Sequence, residues 1–151
     1  MEKLGLIFKV ASRLTLVGWI LLAVFPGWEY SLPIVMGVVV LLLCALYSYL
    51  ILLGKHLDDP ELKIKGNFWS LKGVINLFKS PRAVLAGWVH YLAFDLAIGA
   101  FIVVDAAKYD IHQLLLLPFL LLTLMLGPAG LLAYFIMRSI VTGELDLQSF
   151  F

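Results

Sequence analysis

The chain has 151 residues, of which 63% are hydrophobic and 14% charged, with a formal net charge of +1. Soluble domains contain about 45–50% apolar and about 25% charged residues, so this composition predicts a small integral membrane protein. The single cysteine excludes an intrachain disulfide framework and a cysteine-cluster metal site. The near-zero net charge argues against nucleic-acid binding.

Four apolar segments predict an all-α bundle of four transmembrane helices in one domain, residues 1–151, with spans over 4–25, 33–53, 83–104 and 114–137. The first segment carries Lys9 and Arg13, and its charge-free part is as short as the apolar region of a signal peptide. A retained first helix is favoured, because the residues before Pro26 make a poor cleavage site; a cleavable signal is the alternative.

The inner loop, residues 54–82, has apolar residues at helical spacing and lysines seven residues apart. This pattern predicts a short amphipathic helix lying on anionic headgroups, with a solvated loop as the alternative. The apolar positions are Ile64, Phe68, Leu71, Ile75 and Phe78, and the lysines are Lys65, Lys72 and Lys79.

The basic residues predict an orientation. If the N-terminus is inside, ten of the eleven basic residues, Arg138 included, lie inside and only Lys108 lies outside. The asymmetry favours four spans with both termini on the cytoplasmic or stromal side.

Two ionisable residues fall within the third segment. At about 1.5 Å per residue, His90 lies roughly 10 Å and Asp95 roughly 18 Å from Ala83. Buried ionisable groups in membranes are costly and mark candidate sites for acid–base chemistry or proton coupling. Alternatively, a neutral Asp95 and a packed His90 only hold helices together. The two residues lie about 140° apart around a helix, so they cannot form a direct hydrogen bond unless a π-bulge intervenes.

The fourth segment is interrupted by Gly127, Pro128 and Gly130. Because Pro128 cannot donate to the carbonyl of Leu124, we expect a kink or a break there. The freed carbonyl, Thr123 and Asp95 are expected to face one cavity, with an ordinary proline kink as the alternative.

The connection after the third segment contains Asp105, Lys108, Asp110 and His112. This composition is typical of a solvated turn, and its spacing matches no established metal-ligand pattern.

Several of these residues form a pattern that resembles the ABA4-like (abscisic-acid-deficient 4) family. The resemblance covers roughly residues 73–138 and rests on the string from Gly87 to Leu96, including Trp88, His90, Tyr91 and Asp95, then on Asp105, Ala106, Ile111, His112, Pro118, Thr123, Gly127, Pro128, Gly130, Leu131 and Leu132. It implies a four-helix protein of plastid or cyanobacterial-type membranes, or a bacterial inner membrane, that acts in xanthophyll metabolism, as in neoxanthin formation from violaxanthin. The chain departs from the family at Phe101–Val104, which is apolar here, and this affects the substrate more than the fold.

Conversion of an epoxide to an allenic alcohol is redox-neutral and needs an acid and a base but no cofactor or metal. The resemblance therefore implies His90 and Asp95 as catalytic residues, and a carotenoid or isoprenoid-type ligand bound by Trp88, Tyr91, Asp105, His112, Thr123, Gly127, Pro128 and Gly130. Non-enzymatic lipid binding or assembly and a proton-coupled carrier are the alternatives. Membrane lipids and a possible homodimer are the other expected partners.

Overall fold

The computed structural model describes residues 2–58 and 66–143, and within these ranges the chain is helical and contains no strand. Four helices are long and apolar enough to cross a membrane. These are α1 (Glu2–Val24), α2 (Ser31–Leu52), α4 (Pro81–Lys108) and α5 (Gln113–Thr142), and a short helix α3 (Leu71–Leu77) precedes α4.

α4 is the central helix, and α1 packs beside it in the same direction. The Trp88 indole donates to the Ser12 hydroxyl of α1. Other contacts along the two helices keep the same register. Gly18 of α1 faces Leu96, and Gly99 of α4 faces the Trp19 ring, with no room for a Cβ at either glycine. We call the end of the bundle that holds Glu2 and Pro81 the near end, and the other the far end.

α2 runs antiparallel to α4, since Arg82 at the start of α4 donates to the Leu50 carbonyl at the end of α2. Within α2, residues Val35–Val40 form a π-helical turn. The sequence allowed a π-bulge between His90 and Asp95; instead α4 is helical without interruption from Pro81 to Lys108. His90 and Asp95 are therefore held on different faces of α4.

α5 is not one straight rod, because Leu126 has non-helical torsion angles (φ −146°, ψ 52°). The residues before it, 113–125, are here called the outgoing arm, and residues 127–142 the returning arm. Leu115 and Val141 line one cavity, although they would lie about 39 Å apart on a continuous helix. The two arms therefore fold back on each other as a helical hairpin.

The contacts of each arm show where the hairpin begins, turns and ends. Gln113 donates to the carbonyls of Leu22 and Ala23 at the far end of α1. Leu124 accepts from Tyr91, about halfway along α4, and Arg138 returns to Asp105 at the far end. The hairpin thus enters from the far end, turns beside the middle of α4 and leaves at the far end.

This geometry corrects two sequence predictions. A single crossing by the fourth segment would place Arg138 and Thr142 at the near end, but the pairing of Arg138 with Asp105 places that part of the chain at the far end. Among the basic residues that the structure describes, seven then lie toward the near end, and Arg138 joins Lys108 at the far end. Length and hydropathy cannot distinguish a crossing from a fold-back, because both need the same apolar residues.

The predicted interfacial helix is described in part. Ile64 and Lys65 lie outside the described residues, and α3 covers only Leu71–Leu77. The side chain of Ser70 caps this helix by accepting from the Gly73 amide, at 3.1 Å. Contact of α3 with a membrane remains a prediction at this point.

Candidate functional site

His90 projects from the face of α4 that is next to α2, and its side chain is exposed at the surface of the bundle. Its ring stacks on Phe94 with 4.4 Å between ring centroids, and the Tyr47 ring of α2 lies 5.6 Å away. No hydrogen bond reaches either ring nitrogen from the residues that the structure describes. An imidazole held by aromatic rings with both nitrogens free can give or take a proton.

Two cavities meet at His90 and Tyr47 and together form a groove between α2 and α4, which we call the His90 groove. The one toward the near end has a volume of about 410 Å³, and the one toward the middle of α4 about 310 Å³. Their linings are mainly apolar and aromatic, and volumes of this size are typical of small-molecule sites. The lining residues besides His90 and Tyr47 are Ile51, Phe68, Leu77, Phe78, Arg82, Ala83, Ala86 and Gly87, and then Cys44, Ser48, Ala93 and Phe94.

A polar cluster lies at the near end of the groove. Arg82 pairs with Asp58 at 2.8 Å and also donates to the Leu50 carbonyl, while Ser80 donates to Asp58 at 2.7 Å. The hydrogen bond from Arg82 is the main reason that the pKa of Asp58 lies below its usual range. The cluster holds the end of α2 against the start of α4 and so sets the width of the groove there.

Asp95 lies on another face of α4, against the turn of the α5 hairpin. Only 6% of the residue is exposed, and its Oδ2 atom has no hydrogen-bond partner among the described residues. The Tyr91 hydroxyl and the backbone N–H of Gly127 lie near enough to act on the carboxyl, and His90 acts on it electrostatically from farther away. Asp95 lines neither cavity of the His90 groove.

The hairpin turn is formed by Gly127, Pro128 and Gly130, where the sequence predicted a break. The Leu124 carbonyl, which Pro128 leaves without its helical donor, accepts from the Tyr91 hydroxyl at 2.8 Å. Gly127 lies so close to the Asp95 carboxyl, and Gly130 so close to Thr123, that neither glycine has space for a Cβ. The predicted break is thus present, and a tyrosine hydroxyl satisfies the freed carbonyl.

Asp105 corrects the prediction of a solvated turn. It belongs to α4, is 1% exposed, accepts from the Tyr134 hydroxyl at 2.6 Å and pairs with Arg138 at 3.1 Å. The Arg138 guanidinium also lies over the Tyr109 ring, 5.0 Å from its centroid. This buried cluster fastens the returning arm to α4, and it depends on a contact between residues 33 positions apart, which no local pattern reveals.

The other predicted ligand-binding residues are dispersed. Trp88 contributes to a separate cavity between α1 and α4 at the near end. His112 caps α5 by accepting from the Leu114 amide, and Asp110 is exposed with a positive φ of 52°. Thr123 is fully buried and donates to the Phe119 carbonyl. The structure therefore gathers Tyr91, Asp95, Thr123, Gly127 and Gly130 at the hairpin turn and leaves His90 in the groove.

Tyr47, Cys44 and Arg82 were not among the predicted site residues, although they line the His90 groove. The signal for the groove in the sequence is depth: in two antiparallel helices, Tyr47 near the end of the second segment lies at a depth similar to that of His90. Within residues 2–58 and 66–143, no three His, Cys, Asp or Glu side chains converge as a metal-binding group.

Four apolar helices with a groove on their outer surface define a helical protein compatible with multiple membrane crossings. The chain belongs to the ABA4-like (ABA DEFICIENT 4-like) family, whose model matches residues 6–134. This membership confirms the resemblance seen in the sequence and indicates a role in carotenoid- or abscisic-acid-related metabolism. No curated protein and no solved structure matches the chain.

Proposed function

We propose that this protein is inserted in a membrane, binds a carotenoid-class lipid in the His90 groove and isomerises it, with His90 as the group that transfers protons. The observation that carries the proposal is the position of His90. It is an ionisable side chain whose ring nitrogens make no hydrogen bond within residues 2–58 and 66–143, and it lies in a mainly apolar groove that opens on the outer surface of the bundle. A rod-shaped isoprenoid could enter such a groove sideways from the lipid, with one end group beside His90.

One histidine is enough for the isomerisation of an epoxide to an allenic alcohol. The imidazolium gives its proton to the epoxide oxygen, and the bond from that oxygen to the carbon adjoining the polyene breaks. The neutral imidazole then takes the proton from the next carbon of the chain, and the electron pair of that C–H bond forms the second double bond of the allene. One proton is added and one removed, so the histidine returns to its starting state without a redox partner.

We assign Asp95 to the fold-back of α5 rather than to the ligand. It lines neither cavity of the groove, and the regular helix between it and His90 keeps the two groups on different faces. Its buried carboxyl faces the Gly127 amide, at the start of the returning arm, where a helix N-terminus favours an acidic group.

His90→Gln is expected to lower the rate of epoxide isomerisation by about 10²–10⁴-fold, because amide side chains do not transfer protons at neutral pH. The assay is conversion of violaxanthin by the purified protein in lipid vesicles, followed by chromatography of the pigments. His56→Gln is the matched control, because His56 lies outside the groove and bonds to Tyr49. Asp95→Asn is expected to keep the wild-type rate in the protein that remains folded.

The same assay separates the alternatives. A wild-type rate in His90→Gln would contradict the catalytic role of His90. Pigment that is bound by the wild-type protein but never converted would favour a non-enzymatic binding or assembly protein. A carrier built on the hairpin would instead show proton flux into liposomes that depends on Asp95, without pigment conversion.

A further inference from the structure

Residues 66–80, which we call the interfacial segment, form a compact unit around α3. The Asn67 amide donates to the Gly73 carbonyl at 3.3 Å, and the Asn67 side chain accepts from the Trp69 amide at 3.0 Å. Gly66 packs against Leu77, and Gly73 against Asn67, so tightly that neither has space for a Cβ. Local hydrogen bonds and packing therefore fix which side chains point toward the bundle and which point away.

One side of the interfacial segment forms a wall of the His90 groove. Phe68, Leu77 and Phe78 line the larger cavity together with His90. The Phe78 ring lies so close to Gly87 on α4 that a Cβ at Gly87 would collide with it. The segment thus covers the near-end mouth of the groove.

Other side chains of the interfacial segment are apolar, exposed and flanked by cations. Trp69 is 95%, Leu71 77% and Ile75 55% exposed. The side chains of Lys72 and Lys79 are exposed beside them. A cluster of this kind marks a surface that is covered by a partner, and tryptophan with lysine is the combination typical of the lipid headgroup region.

We infer that the interfacial segment docks into the anionic headgroup layer of the bilayer and thereby holds Phe68 and Phe78 over the mouth of the His90 groove. Trp69, Leu71 and Ile75 enter the boundary of the acyl chains, and Lys72 and Lys79 contact lipid phosphates. The inference rests on the membrane insertion in the proposed function, but it does not depend on isomerisation. Charge complementarity and continuity with the apolar surface of the bundle favour lipid over a protein partner.

The test measures the depth of position 69 in the full chain. Trp69→Cys in a Cys44→Ser background carries a nitroxide label, and the protein is reconstituted without pigment in phosphatidylcholine vesicles with or without phosphatidylglycerol. Accessibility to oxygen and to a water-soluble nickel chelate reports the depth. We expect the label to lie below the phosphates in vesicles that contain phosphatidylglycerol, and Ile75→Cys provides a second labelling site if Trp69→Cys does not fold.

Replacing both lysines, as Lys72→Gln with Lys79→Gln, should reduce the ratio of docked to undocked segment about 30-fold in those vesicles, because each basic residue contributes about 1 kcal/mol near an anionic surface. Lys3→Gln with Lys108→Gln makes the same charge change elsewhere and should leave the depth unchanged. A label that is water-accessible in both vesicle types, or that is buried only when a soluble protein fraction is added, would overturn the inference. Pigment conversion does not enter this measurement, so the inference and the proposed isomerisation can fail separately.

Discussion

Gly130→Ala is expected to lower the free energy of unfolding by about 3 kcal/mol, the upper part of the usual range for overpacking, and to open the α5 hairpin. Alanine normally stabilises a helix relative to glycine by about 1 kcal/mol, so the expected effect has the opposite sign from that of an ordinary helical position. The reason is that a Cβ at Gly130 would overlap the backbone of Thr123 on the outgoing arm. Backbone atoms in a hairpin cannot move away without separating the arms.

Gly5→Ala is the matched control, because a Cβ at Gly5 meets nothing within 4 Å. Thermal unfolding in detergent measures the stability of both variants. The fold-back itself is measured with a membrane-impermeant maleimide on Gly143→Cys, Lys108→Cys and Lys55→Cys, each in the Cys44→Ser background. Position 143 should react from the same side as 108 and from the opposite side to 55. Reaction from the side of 55, or a Gly130→Ala variant as stable as Gly5→Ala, would contradict the hairpin.

Asp105→Ala is expected to cost about 3–5 kcal/mol, because it leaves the Arg138 guanidinium buried without its carboxylate. Both partners are almost inaccessible, with side-chain exposures of 1% for Asp105 and 3% for Arg138. Removal of the carboxylate also leaves the Tyr134 hydroxyl without its acceptor. The loss should separate the returning arm from α4, since this cluster is the polar attachment between them at the far end.

The measurement is again thermal unfolding, together with the reactivity of the Gly143→Cys probe. Asp110→Asn removes the charge of an exposed carboxylate five residues away and keeps a residue type that tolerates the positive φ there, so it should change stability by less than about 0.5 kcal/mol. Tyr134→Phe should cost less than Asp105→Ala, about 1–2 kcal/mol, because the ion pair with Arg138 survives. Equal stability of Asp105→Ala and Asp110→Asn would show that the cluster does not hold the arm.

The positions of the helices could be predicted from the sequence because hydropathy reports burial in lipid or protein directly. The break near Pro128 was also predictable, since proline cannot donate the helical hydrogen bond to Leu124. The direction of the chain after the break was not predictable. A kinked crossing and a fold-back have the same composition, and the deciding contact joins Asp105 to Arg138 across 33 positions.

Only part of the candidate site could be predicted, for a similar reason. The angular separation of His90 and Asp95 followed from helix geometry, and the structure keeps them on different faces of α4. Whether His90 or Asp95 lines a cavity depends on how α2 and α5 pack on α4. A single sequence does not encode that packing as a local pattern. The sequence made His90 and Asp95 equal candidates for the reactive group, whereas only His90 lines the two cavities of the groove.

The central claim is that a carotenoid-class lipid occupies the His90 groove, and the pigment that copurifies with the protein tests it most directly. Pigment in extracts of the wild type and of two variants is measured by absorbance and mass spectrometry. In Ser48→Trp the indole would fill the groove. Leu52→Trp is the control, because Leu52 at the end of α2 is 72% exposed. We expect a polyene pigment in the wild type and in Leu52→Trp, and its loss from folded Ser48→Trp. Equal pigment in all three, or none in the wild-type protein from a carotenoid-producing host, would contradict the central claim.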